Sequence, residues 1–297
     1  MTNKGNWLTE LVLEAACQFS RDNLNVLTTI KSDQGVYEVL EKIGGSDRFN
    51  LYKCLLPAAE GFSSKIGILK ISVDKNDGGL DKESLILRRL QSTARKIDLQ
   101  RNLDSPAYNY GFFVPDIIDT FICADQDNRR INVIGFCEEI KNTSQLTSLS
   151  EDKFSEEKIR IDGKTSVWIL GKLLKIIGFS HQNGVTNEMI NGSNILIEKE
   201  KHGLILFDWT KAVVSDNISS EDTRREIVCA AQVITTVLGG DAQTGTLPDD
   251  QEKWYQSLIQ RLVRGEFDDA FVAHSVFYKT IFEHWPKTFY PFTTLPN

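Results

Sequence analysis

Short apolar runs dominate the first half of the chain, and apolar residues at helical spacing dominate the second. "GVYEVLEKIGG", "NLYKCLL" and "KIGILKISV" read as three strands separated by turn residues. After "DKNDGG" breaks the chain, Leu80 to about Arg101 reads as a helix, and "FFVPDIIDTFIC" and "RRINVIGFCEEI" as two more strands. The polar stretch "KNTSQLTSLSEDKFSEEK" marks a change of character, which places a domain boundary near Lys141. Beyond it, "TSVWILGKLLKIIGFSHQNG" is apolar on nearly every side, as a helix inside a core would be, and Gly184 ends it. Two very short strands follow, then a helix over "SSEDTRREIVCAAQVITTVLGG" and two more, about Asp249 to Val263 and Phe267 to Glu283. Before all of this, Trp7 to Thr29 has helical spacing and forms a helical extension over residues 1–35. The division is therefore 36–141 for a sheet-rich domain and 142–297 for a helical one, with a ligand cleft expected between them.

Composition narrows the function classes. The 297 residues are 41% hydrophobic and 25% charged, an ordinary balance for a folded water-soluble protein. A net charge of -7 argues against a general nucleic-acid binder and against an anionic membrane surface. Glu10 and Glu14 interrupt the apolar part of the N-terminus, so it does not read as a signal peptide. No run approaches the roughly 18 apolar residues of a membrane span. The five cysteines show no CxxC pairing and sit in apolar strings, which points to buried free thiols in a reducing cytoplasm.

Four residues carry chemistry in this pattern. Lys70 lies mid-strand in "KIGILKIS", on a face with Ile66 and Ile68, where an ammonium needs an anionic partner or a route to water. Glu83 shares a helical face with Ile86, Leu87 and Leu90, and a carboxylate on a packed face needs a cation. Lys70 is the nearest candidate in sequence; an edge-strand lysine reaching solvent is the bland alternative. Asn194 and Asp208 flank an antiparallel hairpin whose midpoint falls at Lys201, so the hairpin carries both oxygens to one end. Such a pair suits Mg²⁺, which takes one or two carboxylates with waters and phosphates; ordinary capping of a polar hairpin end is the alternative.

In this order, the residues resemble the protein kinases, in particular bacterial-type Ser/Thr kinases. "GVTNEMINGSNILI" lies without a gap over the family's G-V-x-H-R-D-[IL]-K-P-x-N-[IL]-L, "ILK" resembles A-I-K, and "DWT" stands where D-F-G would. The resemblance runs from about Tyr37 to Gly240 and implies an α+β bilobal protein-kinase-like fold. That fold has an N-terminal antiparallel-sheet lobe with one major helix and a helical C-terminal lobe. It also implies that Lys70 holds the α- and β-phosphates of ATP or another nucleotide, that Glu83 orients it, and that Asn194 and Asp208 hold Mg²⁺. Gly44 falls on a glycine of the nucleotide loop, "VIGFCEEI" would be the adenine hinge, and His181 is expected to be structural.

Three departures qualify the function. Met189 stands where the family's catalytic Asp would be, and a thioether is not a base at neutral pH. Glu188 is adjacent, but neighbouring residues of an extended loop point apart. In the glycine loop, Ser46 and Phe49 replace the other two glycines, which predicts weakened or altered nucleotide binding. The segment after Thr210 is short and has no A-P-E, so a peptide substrate lacks its usual platform. The reading is a pseudokinase, a Mg-nucleotide-binding cytoplasmic protein with a regulatory or scaffold role and a protein partner. Two alternatives stay open: an atypical phosphotransferase or nucleotidyl transferase that retains Lys70, Glu83, Asn194 and Asp208, or an interaction surface that binds no nucleotide. The aromatic tail "HWPKTFYPFTTLPN" is expected to pack on the helical domain.

Overall fold

The computed structural model describes residues 28–57, 66–101, 110–136 and 146–296. The chain forms two compact units. One runs to Ser148 and takes in Phe207–Thr210 as well; the other comprises Leu149–Leu206 and Lys211 onward.

The first unit is built on β1 (Thr28–Ser32), β2 (Gly35–Gly45), β3 (Phe49–Leu55), β4 (Ile66–Ser72), β5 (Asp116–Cys123) and β6 (Arg129–Gly135). They form one antiparallel sheet in the order β1-β2-β3-β4-β6-β5. Its inward residues, among them Tyr37, Val39, Cys54, Leu69, Ile131 and Val133, make one apolar core, as strand alternation requires. Register shifts in β2 and β5 bend the sheet, as bulges do. The bend curls it until its edges are tied by Asp119 Oδ2, which accepts from Ser32 Oγ (2.5 Å) and Tyr37 OH (2.9 Å). Helix α1 (Gly79–Arg101) packs on β5 and β6 through Ile86, Leu87, Leu90 and Ala94. Strand β7 (Leu146–Ser148) closes the first part of the chain.

In the second unit, α2 (Glu151–Glu156) and β8 (Ile159–Ile161) lead into α3 (Gly163–Gln182). Asp162 caps α3, accepting from Thr165 N at 2.5 Å, and the helix is buried on nearly every side. Gly184 (φ 68) ends it in the left-handed region. Strand β9 (Val185–Asn187) and the hairpin β10 (Ile195–Glu198)–β11 (Gly203–Leu206) follow, then β12 (Ala212–Val214), which pairs with β9. Helix α4 (Ser220–Val237) starts at the Ser219 cap; α5 (Lys253–Val263) and α6 (Ala270–His284) complete the bundle around α3. Finally β13 (Thr294–Pro296) pairs with β8, so the aromatic tail does pack on the helical unit.

Two expectations need correction. Thr28 and Thr29, expected to end the N-terminal helix, begin β1 instead, because Ile30 faces the sheet core; the rest of that segment lies outside the described residues. The fourth strand reading starts late: Tyr110–Phe112 is a 3₁₀ turn and β5 begins only after Pro115. The boundary near Lys141 and the hinge from Cys137 onward also lie outside the described residues. Cys54 and Cys123 are buried free thiols, and Cys229 is a partly buried one. Among the described residues, no helix is long and apolar enough to cross a membrane.

Candidate functional site

Lys70 is fully buried in β4, so its ammonium must find partners inside the protein. Its Nζ donates to Glu83 Oε1 at 2.8 Å and to Asp208 Oδ1 at 2.8 Å. Glu83 is placed by the first turns of α1, and Asp208 by the Phe207–Thr210 segment of the same unit. Neither carboxylate depends on the lysine alone. Asn132, opposite Lys70 across β4 and β6, donates from Nδ2 to Glu83 Oε2 (3.1 Å) and to the Leu80 carbonyl (2.9 Å). The Trp209 amide donates to Glu83 Oε1 at 3.1 Å, and the Thr210 amide and hydroxyl donate to Asp208 Oδ1 at 3.0 and 2.9 Å.

One cation serving two carboxylates sets the electrostatics. Burial works against the Lys70 ammonium, but Asp208 and Glu83 together outweigh it and hold its pKa above the ordinary lysine value. Burial also works against the Asp208 carboxylate; Lys70 and the Thr210 donors overcome it and hold its pKa below the ordinary range. For Glu83 burial wins, and the nearby Asp208 charge adds to it, so its pKa is raised despite Lys70.

The remaining faces of the ammonium are aromatic. The Phe49 ring lies 4.0 Å from Lys70 Nζ and the Phe207 ring 5.5 Å, contacts worth about 2 kcal/mol when desolvated. Gly44 sits in β2 beside a register shift, and at Gly45 (φ 152) a Cβ would come within 2.5 Å of the Phe49 carbonyl. The turn between them is therefore closed tightly by its own backbone.

In the second unit, the loop after β9 holds Met189. Its amide donates to Asn187 Oδ1 at 3.0 Å, and its carbonyl accepts from Asn194 Nδ2 at 2.7 Å. Glu188 is exposed. Glu226, buried on α4, accepts from the Asn187 amide (2.7 Å) and contacts His181 Nε2 at 3.1 Å. His181 thereby ties the end of α3 to α4, and burial raises the Glu226 pKa against those two partners.

The sequence reading brought Lys70 to Glu83, and the structure adds Asp208 to the same ammonium. It missed Asn132, Glu226 and the position of the Phe49 ring. A lone amide in "RRINVIG" and a carboxylate on the apolar face of "TRREIVCAA" were the available signals for the first two. Among the described residues, no group of three or more His, Cys, Asp or Glu could hold a metal unaided.

A curled antiparallel sheet with one helix on it, followed by a helical unit around a buried helix, is a protein-kinase-like fold. Among solved structures, the chain is similar to the kinase domain of Mycobacterium tuberculosis PknI. The C20A_R136N double mutant of that domain superposes with a TM-score of 0.53 at 14% identity, covering 86% of this chain and 99% of that one. The unsubstituted domain gives 0.51 at 11% identity, covering 86% and 99%. No protein-family model matches the sequence, and no curated protein does either.

Proposed function

We propose that this protein is a pseudokinase: a kinase-like module that responds to Mg-nucleotide and acts through a protein partner rather than by efficient phosphoryl transfer. The observation that carries this reading is the contrast within the motif residues. Lys70, Glu83 and Asp208 are assembled by buried hydrogen bonds, whereas the loop at the family's acidic position presents Met189 beside an exposed Glu188.

The donor set fits Mg-nucleotide in chemical type. Lys70 would meet the α- and β-phosphates, Glu83 would hold it there, the backbone at Gly44 would approach the phosphates, and Asp208 would take the metal, a role that the resemblance also gives to Asn194. When bound, the nucleotide would supply a phosphoryl group activated by its magnesium. This chain's own residues bind and orient; the Met189 thioether, at the family's acidic position, cannot accept a hydroxyl proton, so turnover should be low.

Thermal shift with ATP, with and without Mg²⁺, tests the binding half, and metal-dependent stabilisation is expected. Label transfer from γ- and α-labelled ATP tests the other half. The retained Lys70–Glu83–Asp208 cluster favours, as a second reading, an atypical phosphotransferase or nucleotidyl transferase. Incorporation that disappears in Asp208→Ala would establish it. In Met189→Asp, a gain of γ-label transfer would show that only the base was missing. No stabilisation at millimolar ATP in any variant would sink both readings in favour of a pure interaction surface.

A further inference from the structure

We propose that Phe49 is the residue that decides which ligands Lys70 can take, by occupying with its ring the place where an anion would meet the ammonium. This rests on the Mg-nucleotide reading above and deepens it. The two carboxylates use two of the ammonium's N–H bonds, and the Phe49 ring covers it at 4.0 Å. Phe49 is itself buried, and Lys70 has no exposed surface. A phosphate oxygen can reach Nζ only by displacing a carboxylate or one of the two rings, and of these rings Phe49 is the nearer, at 4.0 Å against 5.5 Å for Phe207.

The turn that carries the ring is closed in a way that also occupies its donors. The Ser46 amide donates to the Phe49 carbonyl at 2.7 Å, and Ser46 Oγ accepts from the Arg48 amide (3.1 Å) and the Phe49 amide (3.4 Å). These amides belong to the turn that would cradle phosphates in an open glycine loop, and here the Phe49 carbonyl and the Ser46 hydroxyl accept them. Arg48 then pins the turn to the start of α1 through Asp77, with Nε–Oδ2 at 2.8 Å and Nη2–Oδ1 at 2.6 Å. That ion pair is bidentate but partly exposed, so water can take over its hydrogen bonds when the turn opens. Opening moves the ring away from Lys70 and frees the turn amides together.

Two readouts on the full chain test this. Equilibrium binding of MgATP, and of magnesium tripolyphosphate, which has the phosphates without the base, is compared for the natural protein, Phe49→Gly and Phe49→Leu. Phe49→Gly should bind both at least tenfold tighter; Phe49→Leu should stay close to the natural protein. In parallel, amine acylation followed by mass spectrometry reads Lys70 against exposed Lys82, and Lys70 should gain at least fivefold in Phe49→Gly. Far-UV circular dichroism checks folding, and Phe49→Ala carries both measurements if the glycine variant does not fold. Equal affinity and equal Lys70 labelling in all variants would overturn the proposal. A gain in Lys70 labelling without nucleotide binding in any variant would uphold the ring's role and remove the nucleotide reading instead. Tight binding by the natural protein with no change in Phe49→Gly would do the reverse.

Discussion

The Lys70 cluster and the Met189 loop are held together by different means. Around Lys70, three ionisable side chains are buried and hold one another, so each is needed by the other two. Around Met189, the side chains of Asn187, Asn194 and Glu226 hold the loop by its backbone amides and carbonyl. A loop held by its backbone can lose an acid and keep its shape. A buried charge cluster cannot lose a member without stranding the others, so its persistence follows from stability as well as from any ligand.

The largest test of that contrast is Lys70→Met, which leaves Glu83 and Asp208 buried without their cation. It should cost about 3–5 kcal/mol in denaturant unfolding. A cost under about 1 kcal/mol would mean the cluster is not structural and would break the comparison. Smaller is the loss expected in Glu226→Ala, which strands the Asn187 amide and the His181 contact, about 1–3 kcal/mol. Should it instead match Lys70→Met, the loop would depend on charge as heavily as the cluster does.

Acid sharpens the same distinction most gently. Asp208 has a depressed pKa, so its stabilisation is present above the ordinary aspartate value and is lost only as pH falls through the lower folded value. The raised pKa of Glu83 acts oppositely: the folded state takes up that proton more readily, which favours folding as pH falls. In the second unit, burial lowers His202 and His274 to about 4, with Lys172 and Lys175 adding to it. Between about 6.5 and 4 the unfolded chain binds protons there that the folded unit does not, so stability drops as pH falls. Hydrogen exchange at pH 7 and pH 5 should show the helical unit loosening first. His274→Gln should reduce that difference; loosening that starts in the sheet unit would contradict the assignment.

Much of the fold was legible because the signals are local. The three strands from Gly35 to Ser72 and the helix after Gly79 follow from alternation and helical spacing, and that spacing brought Lys70 to Glu83. What escaped depends on distant partners. Thr28–Ser32 carries no clear alternation of its own and is a strand because β2 lies beside it. β8 and β13 are three residues each and exist only as a pair. Asn132 gave a signal, an amide in an apolar strand, but its role needs the β4–β6 register that sets it opposite Lys70. Phe49 was read as a missing glycine; that its ring turns onto the lysine follows from the tight Gly45–Phe49 turn, which spacing does not encode.

The second carboxylate on Lys70 has a consequence for the order in which the molecule comes into being. Asp208 lies 138 residues after its lysine, and Trp209, whose amide steadies Glu83, lies 126 residues after that glutamate. On the ribosome the sheet emerges first, yet the Phe207–Thr210 segment of its own compact unit follows only after the whole of Leu149–Leu206 has been made. Until then the nascent sheet has a lysine with one carboxylate, so the completion of its cluster waits on translation of Leu149–Leu206. A fragment cut at Ser148 would be arrested at that stage for good.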